Sequence, residues 1–209
     1  MRTTKLMLAA ALSLSLAPCV PAAIAAESMH DHHHHHHHAM PAAQDGYVRS
    51  QAAYAVPDVK LVNAEGASVP LQSALVEQDK PVLLNFIFTT CGAICPVMSA
   101  TFSQVQDALG PERDAVRMVS ISIDPEQDTP AVLKAYAGKY GAGPQWQMLT
   151  GSLDDSIAVQ RAFDVYRGDK MSHQPATFLR AAPGQPWVRL DGFASAADIL
   201  REVGRARTN

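Results

Sequence analysis

A mixed α/β domain, with a central sheet covered by helices on both faces, is predicted by three observations. Two apolar-rich runs, Val82 to Phe88 and Val116 to Ile123, read as buried strands. Helix-start chemistry stands beyond each of them, at Pro96, at Thr129-Pro130 and at Ser152 with Asp155 three residues on. Near the end of the chain, two short strands flank Pro183-Gly184 and a last helix follows, so strand-helix alternation finishes in a hairpin.

Taken in order, Lys60 to Asn63 and Ala67 to Val69 form a hairpin across Ala64-Glu65-Gly66. Val82 to Phe88 is the first buried strand, ending at Thr89-Thr90-Cys91. Pro96 suits a first helical turn, where its missing N–H is no loss, and Val97, Thr101, Phe102, Val105 and Leu109 continue at helical spacing. After the strand Val116 to Ile123, Thr129 caps a helix carrying Leu133, Tyr136, Ala137 and Tyr140. Gln145 to Leu149 is a third short strand, and Ser152 opens a helix that runs to Phe163. Ala176 to Leu179 pairs with Trp187 to Leu190, and Ser195 caps a closing helix that ends about Arg205. This order matches a thioredoxin-like layout with an N-terminal hairpin extension.

The segments before the domain read differently. Residues 1–25 have the form of an export signal: Arg2 and Lys5, an apolar stretch from Leu6 to Ala17, and the small-residue site Ala23-Ile24-Ala25. Pro18 and Pro21 interrupt the apolar run short of the ~20 residues that a membrane span needs. Leu16-Ala17-Pro18-Cys19 loosely resembles a lipoprotein box, so membrane association is expected only through an uncleaved or lipidated N-terminus. Residues 26–53 read as a flexible tail and linker that includes seven histidines, His32 to His38. That tract has two readings, a natural metal-collecting arm or a purification tag. One domain is expected from Tyr54 to Asn209. Seventeen basic residues against twenty acidic ones, a formal charge of -3, give no basic stripe for a phosphate backbone, so nucleic acid is excluded as a partner.

Once the signal is removed, two cysteines remain, Cys91 and Cys95, four positions apart at the entry to a helix. Unpaired backbone N–H groups there favour thiolate over thiol. Residues at i and i+4 of a helix lie on one face, so the two sulfurs can chelate a metal or close a disulfide, and spacing alone does not choose. A disulfide across so short a loop removes little chain entropy. Zinc prefers four Cys and His ligands, whereas outside the tail this chain has two cysteines and a single histidine, His173. Two thiolates and one imidazole suit Cu(I), and the same set holds Cu(II) with altered geometry. In a thioredoxin-like layout the loop that carries His173 approaches the cysteine helix.

Phe88-Thr89-Thr90-Cys91 through Cys95-Pro96, Ser122-Ile123-Asp124-Pro125 with Asp128-Thr129-Pro130, and the late His173 together resemble the Sco/SenC proteins over about Pro57 to Val203. The resemblance implies a thioredoxin fold and a copper chaperone or thiol reductase that helps assemble the dinuclear copper centre of cytochrome c oxidase. It also implies copper ligands at Cys91, Cys95 and His173. The chain departs from the family in having Ser172-His173-Gln174 where Asp-His-Ser is common. Asp124 reads as a turn and cap residue, and Asp128 as part of the helix start. The expectation is an exported, periplasmic monomer that passes copper to an oxidase subunit or another copper chaperone. The alternative is a thiol-disulfide oxidoreductase in which Cys91 and Cys95 are the redox pair.

Overall fold

A computed structural model describes residues 46–208. The expected export signal, Cys19 and the His32 to His38 tract lie outside the described residues. The described chain forms one eight-stranded sheet of order β1-β8-β7-β4-β5-β6-β2-β3. Its strands are β1 Tyr47–Ala52, β2 Lys60–Asn63, β3 Ser68–Pro70, β4 Val82–Ile87, β5 Arg117–Ser122, β6 Trp146–Thr150, β7 Ala176–Arg180 and β8 Trp187–Gly192. The helices are α1 Leu71–Leu75, α2 Ile94–Leu109, α3 Pro130–Lys139, α4 Leu153–Ala162 and α5 Ala196–Thr208. None of these helices is long and apolar enough to cross a membrane.

The sheet centre explains the apolar runs. β4 is buried along its whole length, pairing parallel with β5 and antiparallel with β7. Parallel neighbours need crossovers, and α2 and α3 supply them for β4–β5 and β5–β6. Adjacent residues of β7 show that both faces are covered, because side chains alternate across a strand. Phe178 meets Phe163, at the end of α4, with ring centroids 5.3 Å apart. Leu179, pointing the other way, lines a groove with Glu202 and Ala206 of α5. Phe86 of β4 joins Phe163 and Phe178, and Tyr54 stacks on Phe163 at 5.0 Å, so one aromatic cluster fills that side of the core. The expected caps form: Thr129 accepts from the Val132 N–H and Ser152 from the Asp155 N–H.

One expectation is corrected. Residues 47–52 fall in the segment read as linker, yet they form β1, antiparallel to β8 from Tyr47 opposite Gly192 to Ala52 opposite Trp187. Most of its side chains are exposed, so hydrophobic periodicity carries no sign of it; backbone hydrogen bonds hold it instead. Gly192, at a φ of +113°, lets the strands start close together, since a Cβ there would stand 2.6 Å from the Gly46 carbonyl oxygen.

A charged anchor also binds β1 to the helix layer. The Arg49 guanidinium donates to both carboxylate oxygens of the buried Glu202, at 3.0 and 3.1 Å. Burial pushes the Glu202 carboxyl up, but the pairings with Arg49 and Arg205 outweigh it and hold its pKa below the ordinary range. Because the folded pKa is depressed, this stabilisation is present above the pKa of the unfolded chain and is lost as pH falls through the folded value. Arg49→Ala is expected to cost about 2 kcal/mol, the scale of hydrogen bonds to a charged group. Urea unfolding at neutral pH and at pH 3 checks this, with the difference between variant and parent shrinking in acid.

Candidate metal centre

The strand-to-helix junction after β4 sets the two cysteines at unequal depths. Cys95 is fully buried in the first turn of α2, and Cys91 is half-buried in the loop before it. The Phe88 N–H donates to Cys95 Sγ at 3.4 Å, and the Cys95 N–H donates to Cys91 Sγ at 3.5 Å. Both thiols are free.

That inequality governs their acidity. Burial works against the Cys91 thiolate, but the backbone N–H groups of Cys95, Ala93 and Ile94, together with the Cys95 thiol, outweigh it and lower the Cys91 pKa. These are the unsatisfied donors of a helix start. Burial dominates for Cys95 and pushes its thiol up to about 12, only partly opposed by the Phe88 N–H.

Asp128 fixes the loop from beneath. Its carboxylate is fully buried and accepts from the Thr89 N–H at 3.2 Å, from the Thr89 hydroxyl at 2.5 Å and from the Ser122 hydroxyl at 2.6 Å. It therefore joins the end of β4, the end of β5 and the entry to α3. The sequence reading assigned Asp128 to the helix start; the cap is Thr129 alone, and the Asp128 side chain turns back under the cysteine loop. The only available sequence signal was its place in the Asp128-Thr129-Pro130 element.

Asp124 sits in a turn, as expected, its carbonyl accepting from Gln127 and Asp128. Its Oδ2 binds the Lys170 ammonium at 2.5 Å. Hydrogen bonding to Asp124 raises the Lys170 pKa, and the same ammonium lies 5.8 Å from the centre of the Phe88 ring. Tyr136 hydrogen-bonds Ser99 at 2.8 Å and donates to the Cys95 carbonyl at 3.4 Å, bracing the first turn of α2 from α3.

His173 follows the short 3-10 turn Lys170–Ser172 and is 6% exposed. Its ring meets the Phe88 ring edge-on, and Nε2 lies 3.1 Å from the Phe86 carbonyl oxygen. A carbonyl oxygen only accepts, so Nε2 carries the proton and Nδ1 carries the lone pair. Nδ1 is buried without a hydrogen-bond partner among the described residues. Burial lowers the His173 pKa and keeps the ring neutral, the form in which imidazole binds metals. A cleft of about 390 Å³ reaches the ring between Asp124, Gln160, Tyr166 and Lys170.

The structure thus brings Cys91 and Cys95 together and sets His173 at the same end of β4. The imidazole is held by the Phe86 carbonyl, and among the described residues no three His, Cys, Asp or Glu side chains are closed into a metal-sized cluster. The donor set nonetheless fits a soft ion: one low-pKa thiol, a second thiol beside it, and a neutral imidazole with an unused lone pair.

Two outcomes check this geometry. On the reduced protein, Cys91 is expected to alkylate with iodoacetamide with a midpoint below the usual thiol value of 9.0, and Cys95 only towards pH 12, as read by peptide mass spectrometry. Asp128→Ala, which strands Thr89 and Ser122 donors, is expected to lose about 3 kcal/mol in denaturant unfolding and to speed Cys95 alkylation. Asp128→Asn keeps an acceptor and recovers part of both effects.

Known proteins share sequence and fold with this chain. The SCO1/SenC family model matches residues 48–207. A SCO1 protein homolog of Bacillus subtilis is 31% identical over 166 residues, covering 74% of this chain and 84% of the relative. BsSco, described as a member of the Sco family of cytochrome c oxidase assembly proteins with a disulfide switch, superposes with a TM-score of 0.64 at 30% identity, covering 77% of this chain and 98% of that structure. Bradyrhizobium japonicum ScoI with copper bound gives a TM-score of 0.61 at 26% identity, covering 73% of this chain and 99% of that one. The sheet order, the cysteine junction and these matches together establish that the chain belongs to the SCO1/SenC family.

Proposed function

We propose that this chain is a copper carrier that holds the ion through Cys91, Cys95 and His173 and delivers it to a respiratory oxidase copper centre. The observation that carries the reading is the buried Nδ1 of His173, which has no partner while Nε2 is fixed by the Phe86 carbonyl. An orphaned imidazole lone pair costs stability unless something binds it, and the cysteine loop leaves the same end of β4, with Cys91 four residues after Ile87. Copper held in relatives of this fold supports the same assignment.

In this reading the half-exposed Cys91 thiolate is the entry ligand. Cys95 deprotonates as the ion binds, because a metal lowers a thiol pKa far more than burial raises it. His173 closes the site when the Lys170–Ser172 turn shifts towards the sulfurs. Delivery is ligand exchange: each thiolate leaves in turn as an acceptor ligand takes its place, with no net redox change. Export through residues 1–25, and a periplasmic setting in which such an acceptor is met, belong to the same proposal.

The unequal thiols support a second reading. Cys91 as thiolate would attack a partner disulfide, releasing one partner thiolate and forming a mixed disulfide; Cys95 would then displace the second partner thiolate and leave Cys91–Cys95 oxidised. His173→Ala separates the two. A carrier loses Cu(I) affinity by more than about 100-fold, the upper end of what a supporting hydrogen-bond partner alone contributes. An exchanger keeps its thiol-disulfide rate. Anaerobic Cu(I) titration against a competing chelator, run beside a disulfide-reduction assay on the same variant, reads both.

A further inference from the structure

At the opposite end of the sheet from the cysteines, Arg180 is a cation without an anion among the described residues. It closes β7 opposite Val82, the first residue of β4, whereas Cys91 lies beyond the last residue of that strand. Six strand residues at ~3.3 Å each put the two regions roughly 20 Å apart. Arg180 is 3% exposed, and its Nε and Nη2 are buried with no hydrogen-bond partner. Its guanidinium sits 5.6 Å from the centre of the Trp187 ring. Arginine stays charged under all ordinary conditions, so this charge cannot be relieved by losing a proton. The cation-π contact offsets only part of its desolvation.

The surroundings specify what is missing. Arg180 lines a cleft of about 430 Å³ whose walls include Tyr54, Val56, Val76, Pro186 and Trp187, and no Asp or Glu is among the lining residues. Arg49 pairs with Glu202 and Arg189 with Asp191, whereas Arg117, across Val82 from Arg180, also has a buried Nε without a partner among the described residues but does not line this cleft. A volume of this size suits a small molecule. The walls combine apolar side chains with Gln72 and Gln185, which suits a ligand with an apolar stem and a polar head, and a planar fork of donors matches a carboxylate.

We propose that this cleft binds a small organic carboxylate, with Arg180 taking the carboxylate and Tyr54, Trp187 and Pro186 its apolar stem. The site is separate from the cysteine junction and does not rest on the copper reading.

Hexanoate is the probe, and the readout is the Trp187 indole N–H resonance of the whole, isotopically labelled chain, assigned with Trp187→Phe. The expected result is a saturable shift with hexanoate, none with hexan-1-ol, and weaker binding of inorganic phosphate. Arg180→Met is expected to weaken hexanoate by at least about thirtyfold, the smaller end of the loss when one partner of a buried charge pair is removed. The same variant should melt higher without ligand, because an unpartnered buried charge is gone. Arg180→Lys, which keeps the charge and loses the fork, should bind at an intermediate level and guards against a folding artefact in the methionine variant. No saturable shift, an equal shift with hexan-1-ol, tighter binding of phosphate, or unchanged affinity in Arg180→Met would each overturn the assignment.

Discussion

The acceptance of three hydrogen bonds by one buried carboxylate is the constraint on which the working end of this protein depends. Asp128 draws together the end of β4, the end of β5 and the start of α3, segments that the chain order keeps up to 39 residues apart. A buried carboxylate without such donors would be left unsatisfied at a large cost. With them, it sets where Thr89 stands, and the cysteine loop that follows inherits its position. Interior hydrogen bonds of this kind are costly when half made, so the loop is held in one arrangement.

From that fixed loop the two sulfurs acquire different characters through their depth and the backbone donors around them. Cys91 collects backbone donors at a helix entrance, and Cys95 is pressed against the core with a single N–H from Phe88. In both proposed readings Cys91 is the position that acts first and Cys95 the one that follows. His173 shares the frame through Phe86 and Phe88, so strand β4 presents contacts to both the imidazole and the buried thiol within three residues. Carrier and exchanger chemistry draw on the same asymmetry, and the imidazole separates them.

Much of the fold was legible because its determinants are local. The buried strands announce themselves by composition, and Thr129 and Ser152 cap the helices that follow them, as their side chains allow. The cysteine pair was legible for the same reason: spacing and Pro96 place it at a helix start. β1 was not, since a strand with mostly exposed side chains at a sheet edge leaves no periodic trace. The role of Asp128 was hidden by its neighbour, because Asp-Thr-Pro satisfies helix-start rules whichever way the aspartate turns. The Phe86 carbonyl that holds His173 lies 87 positions away along the chain, and no local pattern encodes such a contact.

The two borders of the sheet carry a further implication. β3 ends on Pro70, which has no N–H to offer, and β1 carries exposed polar side chains at Ser50 and Gln51. Both rims therefore resist the lateral addition of a foreign strand, a common route by which sheet proteins clump. Encounters with other molecules are steered to the tips of the strands, where the thiols occupy one pole and the Arg180 guanidinium, with Arg117 across Val82, the other.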